Sequence, residues 1–499
     1  MPTIILCGLL LTGTSSADDR VFDRSELPVP ARTVAVDMAD LNGDGRIDLL
    51  IATLDGIPPS ESRQFRVHLQ KPTGGFEAEP TVIADVPVNS AVYDIANLAE
   101  QPGSEVALLR PDRITLLSFS DGNMTQWDLP VSGASTLAAG SDERGLDRLK
   151  LVFKDLADEP RLLVPQIGAL TVMSADGETL ASLEISRRAN FYVVKPGSLV
   201  SVESDIQLFL DQPKTSVGDV NGDGLADIVS TTRHEIRIFE QDAAGSFGPK
   251  PSLVMPLNFI NEEDHLRGSG GLTTTARDLD GDGLLDLLIS HVEGSLTDTT
   301  TKTYIYRNRG SGWNIAEPDE YFEIDKTLSS DLLLNIDRDP ELELLRIQLK
   351  FTVFELVELL LQRKVDAVIA IHELGEDGKY GEEPWSEKKV STGISFETFR
   401  PKGFMPRGEV DLNADGFMDF ITSDNGEGIE VYLGGSEGPF RRRDARQELP
   451  TVGLIRFADI DGNGLEDFVM FNPQEPGSPL RLGMNRGVLP GTGRSLQAR

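Results

Sequence analysis

Short apolar segments alternate with polar turns along most of the chain, and several show the two-residue alternation of β-strands. The first segment, Val34 to Met38, is followed by an acidic loop and then by apolar runs over Asp48 to Thr53 and Phe65 to Leu69. A Gly-Gly-Phe turn at 74–76 leads into a fourth segment, Pro80 to Val86. The pattern predicts a unit of four strands, A to D, with the acidic loop between A and B.

The same unit returns at intervals of roughly 60 residues, a spacing typical of repeat architectures. Complete acidic loops begin at five aspartates: Asp40, Asp219, Asp278, Asp411 and Asp459. Three further units keep the layout with altered loops near Asn97, Asp155 and Asn335. In several units a Gly turn between strands C and D precedes a large apolar residue, which we expect to pack between neighbouring units: Phe76, Phe247, Trp313 and Phe440.

Each complete loop has an acidic or amide side chain at positions 1, 3 and 5, Gly at position 6 and Asp at position 9. Ca²⁺ takes six to eight oxygen ligands, and Gly permits the sharp turn that brings them together. The residue at position 7 can add its backbone carbonyl. The predicted calcium ligands are Asp40, Asn42, Asp44, Arg46 and Asp48; Asp219, Asn221, Asp223, Leu225 and Asp227; Asp278, Asp280, Asp282, Leu284 and Asp286; Asp411, Asn413, Asp415, Phe417 and Asp419; and Asp459, Asp461, Asn463, Leu465 and Asp467.

The loops differ from EF-hand loops beyond position 9. An EF-hand needs a bidentate Glu at position 12 and an exiting helix. Here position 12 lies in a predicted strand and holds Ile51, Ser230, Ile289, Thr422 or Met470. EF-hand and dockerin-type loops are therefore both disfavoured.

The three altered loops differ in what they retain. The loop from Asn97 to Glu105 has Ala99 at position 3, and the loop from Asp155 to Arg161 is shortened, so we expect both to be free of metal. The loop from Asn335 to Glu343 keeps its oxygens but has Pro340 where Gly belongs. Its occupancy stays open.

These loops resemble the FG-GAP/VCBS repeat family, whose best-known propeller is the amino-terminal head of integrin α subunits. The resemblance covers nearly all the chain after Ala17 and implies an all-β, calcium-bearing β-propeller. Eight units predict eight blades, or seven if the unit near Asp155 is not a full blade. The last unit has no strand D, so we expect the amino-terminal strand at Val21 to Val29 to complete it and close the ring.

Charge limits the partners of this chain. It carries 81 acidic and 47 basic residues, a formal net charge of −34, which opposes binding to nucleic acid or to anionic membrane surfaces. Calcium in the loops would offset part of this charge.

The first 17 residues resemble a secretory signal, with an apolar run and small residues before a cleavage site, although basic residues are missing before the run. A secreted, periplasmic or cell-surface location is expected. Cys7 raises the alternative of a lipoprotein, which Leu6 disfavours; it is the only Cys in the chain, so disulfides cannot stabilise the mature protein. We expect the propeller to span residues 18–486, with a flexible tail at 487–499.

Two stretches invite other interpretations. The run Phe351 to Arg363 predicts one inserted helix packed on the propeller, since it is too short and too charged at its ends to span a membrane. The stretch Gly434 to Gly438 matches G-x-S-x-G but falls in a predicted Gly turn, whereas a nucleophile elbow joins a strand to a helix. No catalytic residue is predicted, and His68 and His372 fall in strand patterns.

The expected function is binding or adhesion to an extracellular protein or glycan, by a protein that is not integral to a membrane and is a monomer. The alternative is a carbohydrate-active enzyme, similar to a polysaccharide lyase, on a calcium propeller. Insertions opposite the calcium loops predict the binding face, with Glu262 to His265 near the contact. These insertions join B to C at Leu54 to Gln64, His291 to Lys302 and Phe351 to Arg363, and D to A at Ser186 to Pro213 and Asn258 to Leu272.

Overall fold

The fold is all-β: eight four-stranded blades form a propeller ring. The structure, a computed structural model, describes residues 20–487 apart from 58–59, 88, 100, 121, 134, 136–145, 155, 157–158, 187–188, 195–204, 211, 261–270, 296–297, 351–362, 396–399, 437 and 439. The expected signal at 1–17 and most of the expected tail therefore lie outside the described residues. So do the stretch that predicts the inserted helix and residues 262–265.

Each blade is an antiparallel sheet in chain order from strand A to strand D. The strands of blades 1 to 4 are β2 (Arg32–Ala39), β3 (Asp48–Asp55), β4 (Ser62–His68) and β5 (Val82–Asp85); β6 (Val92–Ala96), β7 (Glu105–Leu109), β8 (Arg113–Ser120) and β9 (Asn123–Pro130); β11 (Val152–Phe153), β12 (Arg161–Gln166), β13 (Ala169–Ser174) and β14 (Thr179–Glu184); and β17 (Lys214–Gly218), β18 (Asp227–Thr231), β19 (Glu235–Phe239) and β20 (Leu253–Pro256).

The strands of blades 5 to 8 follow the same order. They are β21 (Gly271–Arg277), β22 (Asp286–Ser295), β23 (Asp298–Tyr306) and β24 (Glu320–Ile324); β25 (Thr327–Leu334), β26 (Glu343–Lys350), β27 (Lys364–His372) and β28 (Ser386–Ser395), with β29 (Arg400–Pro401) beside β28; β30 (Arg407–Val410), β31 (Asp419–Asp424), β32 (Gly428–Tyr432) and β33 (Ala445–Glu448); and β34 (Leu454–Ala458), β35 (Asp467–Phe471) and β36 (Leu480–Asn485).

The amino-terminal strand β1 (Phe22–Leu27) completes blade 8, as predicted. It pairs antiparallel with β36 over its whole length, from Phe22 opposite Asn485 to Leu27 opposite Leu480. Gln447 of blade 7 fixes its start, since the Gln447 Oε1 accepts the N–H groups of Val21 and Phe22 at 2.9 and 3.0 Å. The ring therefore has no open edge at the point where the two ends of the propeller meet.

Apolar packing between blades holds the ring together. The described residues form eight buried clusters, and each cluster joins two neighbouring blades. The cluster that joins blade 8 to blade 1 brings Val469 and Phe471 against Val36 and Ile51. A closed ring of eight blades requires eight such interfaces, and eight clusters are found. The unit near Asp155 forms a full four-stranded blade, so the count is eight and not seven.

The apolar residues after the Gly turns pack in these clusters, as expected. Trp313 is 7% exposed and donates its Nε1–H to the carbonyl of Leu285 at 2.8 Å. Phe440 contacts the ring of Phe420 with centroids 4.3 Å apart. Phe76 and Phe247 are partly buried against their clusters.

Two of the predicted insertions include strand residues. Residues His291 to Lys302 extend the β22–β23 hairpin, which stays paired as far as Ser295 opposite Asp298. Leu54 to Gln64 likewise includes the ends of β3 and β4. Both stretches join strand B to strand C, as predicted, and the structure adds that their ends are paired strand.

Besides β29, two elements lie outside the four-stranded plan. A hairpin of β15 (Ala189–Val194) and β16 (Asp205–Leu210) lies within the connection Ser186 to Pro213. The short strand β10 (Asp147–Arg148) pairs parallel with β6, at the inner edge of blade 2. In the described part of the chain there is no helix, and hence none that is long and apolar enough to cross a membrane.

Candidate metal centres

The first acidic side chain of each complete loop organises the loop backbone. It accepts the N–H of the position-6 glycine at 2.7–2.9 Å, and the side chain at position 5 accepts the N–H of position 7 at 2.8–2.9 Å. The position-6 glycines have φ angles of 80–88°, a region that side chains with a Cβ rarely adopt. The pairs of positions 1 and 6 are Asp40 and Gly45, Asp219 and Gly224, Asp278 and Gly283, Asp411 and Gly416, and Asp459 and Gly464.

The aspartate at position 9 is buried and accepts hydrogen bonds from two sides. Its Oδ2 accepts the N–H of position 2 at 2.8–3.2 Å, and its Oδ1 accepts an N–H at the end of strand C at 2.6–3.0 Å. A carboxylate offers about four acceptor positions, so room for a cation remains. The five residues, all at most 1% exposed, are Asp48, Asp227, Asp286, Asp419 and Asp467.

Burial makes these position-9 carboxyl groups reluctant to ionise. Together with a smaller contribution from neighbouring loop carboxylates, burial raises the pKa of Asp48, Asp286 and Asp467 to about 6 and that of Asp419 to about 8. The pKa of Asp227 is raised for the same reasons. A bound cation would favour the ionised forms and would lower these pKa values.

Three carboxylates converge in the loops of blades 5 and 8. Oxygens of Asp278, Asp280 and Asp286 lie within 4.8 Å of one another, and the same holds in blade 8 for Asp459, Asp461 and Asp467. One buried oxygen in each group, Oδ1 of Asp280 and Oδ1 of Asp459, has no hydrogen-bond partner. Unpaired buried carboxylate oxygens are costly in a protein and fit a divalent cation with oxygen ligands. The donor set therefore fits Ca²⁺.

The loops with Asn at position 3 are arranged differently. In blades 1, 4 and 7 the Nδ2 of this Asn donates to the position-5 carboxylate at 2.9–3.1 Å. Among the described residues, three carboxylates converge only where position 3 is acidic. In each of the five complete loops the predicted ligands belong to one short loop. Among these five, only the loops of blades 5 and 8 bring three carboxylates within 4.8 Å of one another.

The altered loop of blade 6 also brings acidic groups together. Oxygens of Asp337, Asp339 and Glu343 lie within 4.8 Å of one another. Glu343 takes the position-9 role, accepting the N–H of Ile336, and burial raises its pKa to about 8. The loop thus retains an acidic cluster despite Pro340, and its occupancy stays open.

Blades 2 and 3 lack such clusters among their described residues. In blade 2, Glu105 replaces the position-9 Asp and accepts the N–H groups of Leu98 and Ala99. The hydrogen bond to position 2 therefore persists where the coordinating side chains are gone. Residues 155, 157 and 158 of the blade 3 loop lie outside the described residues.

Sequence reasoning missed the side-chain amides that connect neighbouring loops. A Gln or Asn at the end of strand C donates its amide N–H to the position-2 carbonyl of the preceding blade. The pairs are Gln70 with Ile460, Gln241 with Leu156, Asn308 with Val220, and Asn485 with Leu412. The recurrence of Gln or Asn two residues beyond strand C in blades 1, 4 and 5 was the available signal.

Two arginines near the loops were also missed as partners of the ligands. Arg46, predicted as a carbonyl ligand, directs its guanidinium to the carboxylate of Asp44. Arg307 in blade 5 donates its Nη1–H to Asp286 Oδ2 at 3.0 Å. Both cations partly neutralise the negative charge that would otherwise repel within a metal-free loop.

The sequence features that hint at chemistry have structural roles. His68 and His372 are 2% and 3% exposed, and their Nδ1 atoms lie 3.1 and 2.8 Å from the carbonyls of Glu77 and Gly381. Burial lowers the pKa of both residues, so each is neutral near pH 7. The stretch Gly434 to Gly438 lies between β32 and β33, where a turn was predicted.

Comparison with known families agrees with this geometry. The family described as the FG-GAP-like repeat matches residues 219–289 and 411–470, which include four of the five complete loops. The chain is therefore a β-propeller that carries FG-GAP-like repeats. Its sequence has no significant match among curated proteins.

The solved structures that resemble this chain do so at low identity and low TM-score. The biofilm matrix protein Bap1 of V. cholerae is 11% identical with a TM-score of 0.35, and the alignment covers 91% of this chain and 88% of that one. An Agrocybe aegerita lectin that recognises non-reducing terminal N-acetylglucosamine is 13% identical with a TM-score of 0.40, covering 94% and 96%. The WD40 domain of Toxoplasma gondii coronin is 10% identical with a TM-score of 0.33, covering 96% and 90%. Likenesses this distant carry no argument about function.

Proposed function

We propose that this chain is an exported, calcium-stabilised propeller that binds an extracellular protein or glycan and performs no chemistry. The observation that carries the calcium part is the convergence of three carboxylates around a buried, unpartnered oxygen in blades 5 and 8. Calcium would be held by the side chains at positions 1, 3, 5 and 9 of the loops. It would stabilise the ring by binding to the folded chain only.

The loops define one face of the ring. In an antiparallel blade the A-to-B and C-to-D connections lie at one end of the strands, and the position-9 carboxylates contact residues at both connections. The B-to-C and D-to-A connections lie at the other end. Metal on the first face can therefore stabilise the scaffold while the second face remains available for a partner.

The second face carries the longest projecting element that the structure describes. The β22–β23 hairpin stays paired from Leu287 opposite Tyr306 to Ser295 opposite Asp298. An ion pair between Lys302 and Glu293 lies near its tip. Function in repeat folds gathers where individual repeats are extended, so this hairpin is the preferred contact for a partner.

A binding screen tests this proposal. Purified protein is applied to arrays of glycans and extracellular proteins with and without Ca²⁺, and hits are measured again with a variant in which residues 294–299 are replaced by Asn-Gly. The two-residue turn suits a hairpin and preserves the pairing of residues 293 and 300. We expect the variant to lose binding while its calcium content and melting temperature stay close to those of the original chain.

The matched control alters the turn at Gly434 to Gly438, on the calcium-loop face. Binding that survives the hairpin change but is lost with this control would place the partner on the calcium-loop face. Cleavage of a bound glycan, detected as new reducing ends, would replace the binding proposal by the lyase-like alternative.

A further inference from the structure

A cavity of about 660 Å³ lies between the innermost strands of blades 2 and 3. Its walls are the end of β6 with the following loop on one side, and the segment that leads into β11 on the other. Three cations line it, Arg148, Lys150 and Lys154, together with the carboxylate of Asp94. A cavity with this lining is unexpected in a chain of charge −34, whose average field repels anions.

Both lysines line the cavity, one on each side of the short strand β11 in sequence. Lys150 and Lys154 flank the buried residues Leu151 to Phe153, of which Val152 also contributes to the cavity wall. Lys154 occupies the last position before the acidic loop. In four of the five blades with complete loops this position holds a small or apolar residue: Ala39, Gly218, Val410 and Ala458.

Arg148 is held in place by three hydrogen bonds. It donates from Nε to Asp94 Oδ1 at 3.2 Å, from Nη1 to Asp37 Oδ1 at 3.3 Å, and from Nη2 to the Ile95 carbonyl at 3.1 Å. Asp94 is fixed in turn, because its Oδ2 accepts the N–H groups of residues 151 and 152 at 2.8 and 3.0 Å. A guanidinium has five N–H groups, so two point away from these partners and can serve a ligand.

Within the described ranges, neither Lys150 nor Lys154 forms an ion pair with a carboxylate. The Nζ of Lys150 lies 4.6 Å from the ring centroid of Phe153, a contact that orients the ammonium group without neutralising it. The cavity therefore combines one fixed guanidinium with two available ammonium groups.

We propose that this cavity binds the oxyanion group of a small molecule, a carboxylate, phosphate or sulfate. Its volume suits a small organic molecule, and Asn97 and Ser104 add polar groups to its wall. A long polyanion does not fit this proposal, because the acidic surface beyond a Debye length of the cavity would repel it. The cavity adjoins the altered loop of blade 2, whose Ser104 donates its N–H to the Asp40 carbonyl at 2.9 Å, but the inference does not rest on the proposed function.

Calorimetric titration tests the proposal with four probes: inorganic phosphate, sulfate, D-glucuronate and, as the neutral control, D-glucose. Each is titrated into the full chain and into the variant Lys150→Met with Lys154→Met, which keeps side-chain length and removes both charges. We expect at least one anion to bind, with affinity falling about tenfold for each lysine lost and falling further with added salt. Phosphate or sulfate binding would indicate an inorganic group or its ester, and preferential glucuronate binding an acidic sugar.

A matched variant separates a local site from a general charge effect. Lys250→Met removes one charge from an exposed position in the C-to-D turn of blade 4 and should bind the anion as the original chain does. Unchanged melting temperatures would show that the variants are folded. The proposal is overturned if no anion binds, if the double variant binds as well as the original chain, or if Lys250→Met weakens binding equally.

Discussion

Replacing Asp227 by alanine is expected to destabilise the propeller even when no metal is bound. Asp227 is fully buried and accepts the N–H groups of Val220 and Gln241, each at 3.0 Å. Alanine leaves both donors without an acceptor in a buried setting. At about 1–3 kcal/mol for each unsatisfied group, the free energy of unfolding should fall by about 2–6 kcal/mol.

The comparison that isolates this role uses Asp280→Ala. Asp280 has a buried Oδ1 with no hydrogen-bond partner and lies within 4.8 Å of two other carboxylates. Without metal, its removal should leave stability unchanged or slightly increased, because repulsion is relieved. With Ca²⁺ it should lower stability, since a ligand is lost. In metal-free buffer, Asp227→Ala should therefore be less stable than Asp280→Ala, because Asp227 accepts backbone hydrogen bonds whereas Asp280 is chiefly a metal ligand.

Urea unfolding followed by tryptophan fluorescence measures both effects, in EDTA and in excess Ca²⁺. Asp227→Asn provides a milder variant should the alanine variant fail to fold, because the amide oxygen retains one of the two hydrogen bonds. If Asp227→Ala unfolds at the same urea concentration as the original chain in EDTA, the position-9 aspartate acts only through metal and this reasoning is refuted.

Two further predictions concern closure and pH. Deletion of Val21 to Val29 should open the edge of blade 8 and cause aggregation, visible by light scattering, because β1 pairs along all of β36; a monodisperse, stable deletion variant would argue against the ring. Burial raises the pKa of Glu320 from 4.5 to about 7. Between these pH values the folded state holds a proton that the unfolded state has lost, so the free energy of unfolding should fall as pH rises from about 4.5 to about 7. Glu320→Gln keeps an acceptor for the N–H of Tyr380 and should reduce that loss; parallel stability–pH curves for the two proteins would contradict it.

Much of the fold could be predicted from the sequence because the residues of the acidic loops mark where strands begin. Gly at position 6 and Asp at position 9 mark the start of strand B after every complete loop, so the repeats predicted the order of strands and eight blades, with seven left open by the altered loop near Asp155. The closing strand β1 could be predicted because the last unit lacked a fourth strand and the first was preceded by one. The length of the hairpin β22–β23 was not predicted, since Thr299 and Thr301 are buried but polar and do not show an apolar alternation.

The site was predicted less completely than the fold. Spacing identified the loop side chains, but the two hydrogen bonds accepted by Asp48 and its counterparts depend on how strand C ends, which spacing within the loop does not contain. The cationic cavity depends on Arg148 in β10, a strand that pairs parallel with β6 far away in sequence. Long-range pairings of this kind leave no local periodicity to read.

The central claim is that the acidic loops hold calcium and that calcium stabilises the ring. The direct test combines elemental analysis of protein never exposed to chelator with melting curves in EDTA and in Ca²⁺. Each occupied site should add about 2.7 kcal/mol of stability when free Ca²⁺ is about 100 times its Kd, so the melting temperature should fall clearly on chelation. Protein that contains no calcium, and that melts at the same temperature with and without EDTA, would contradict the claim.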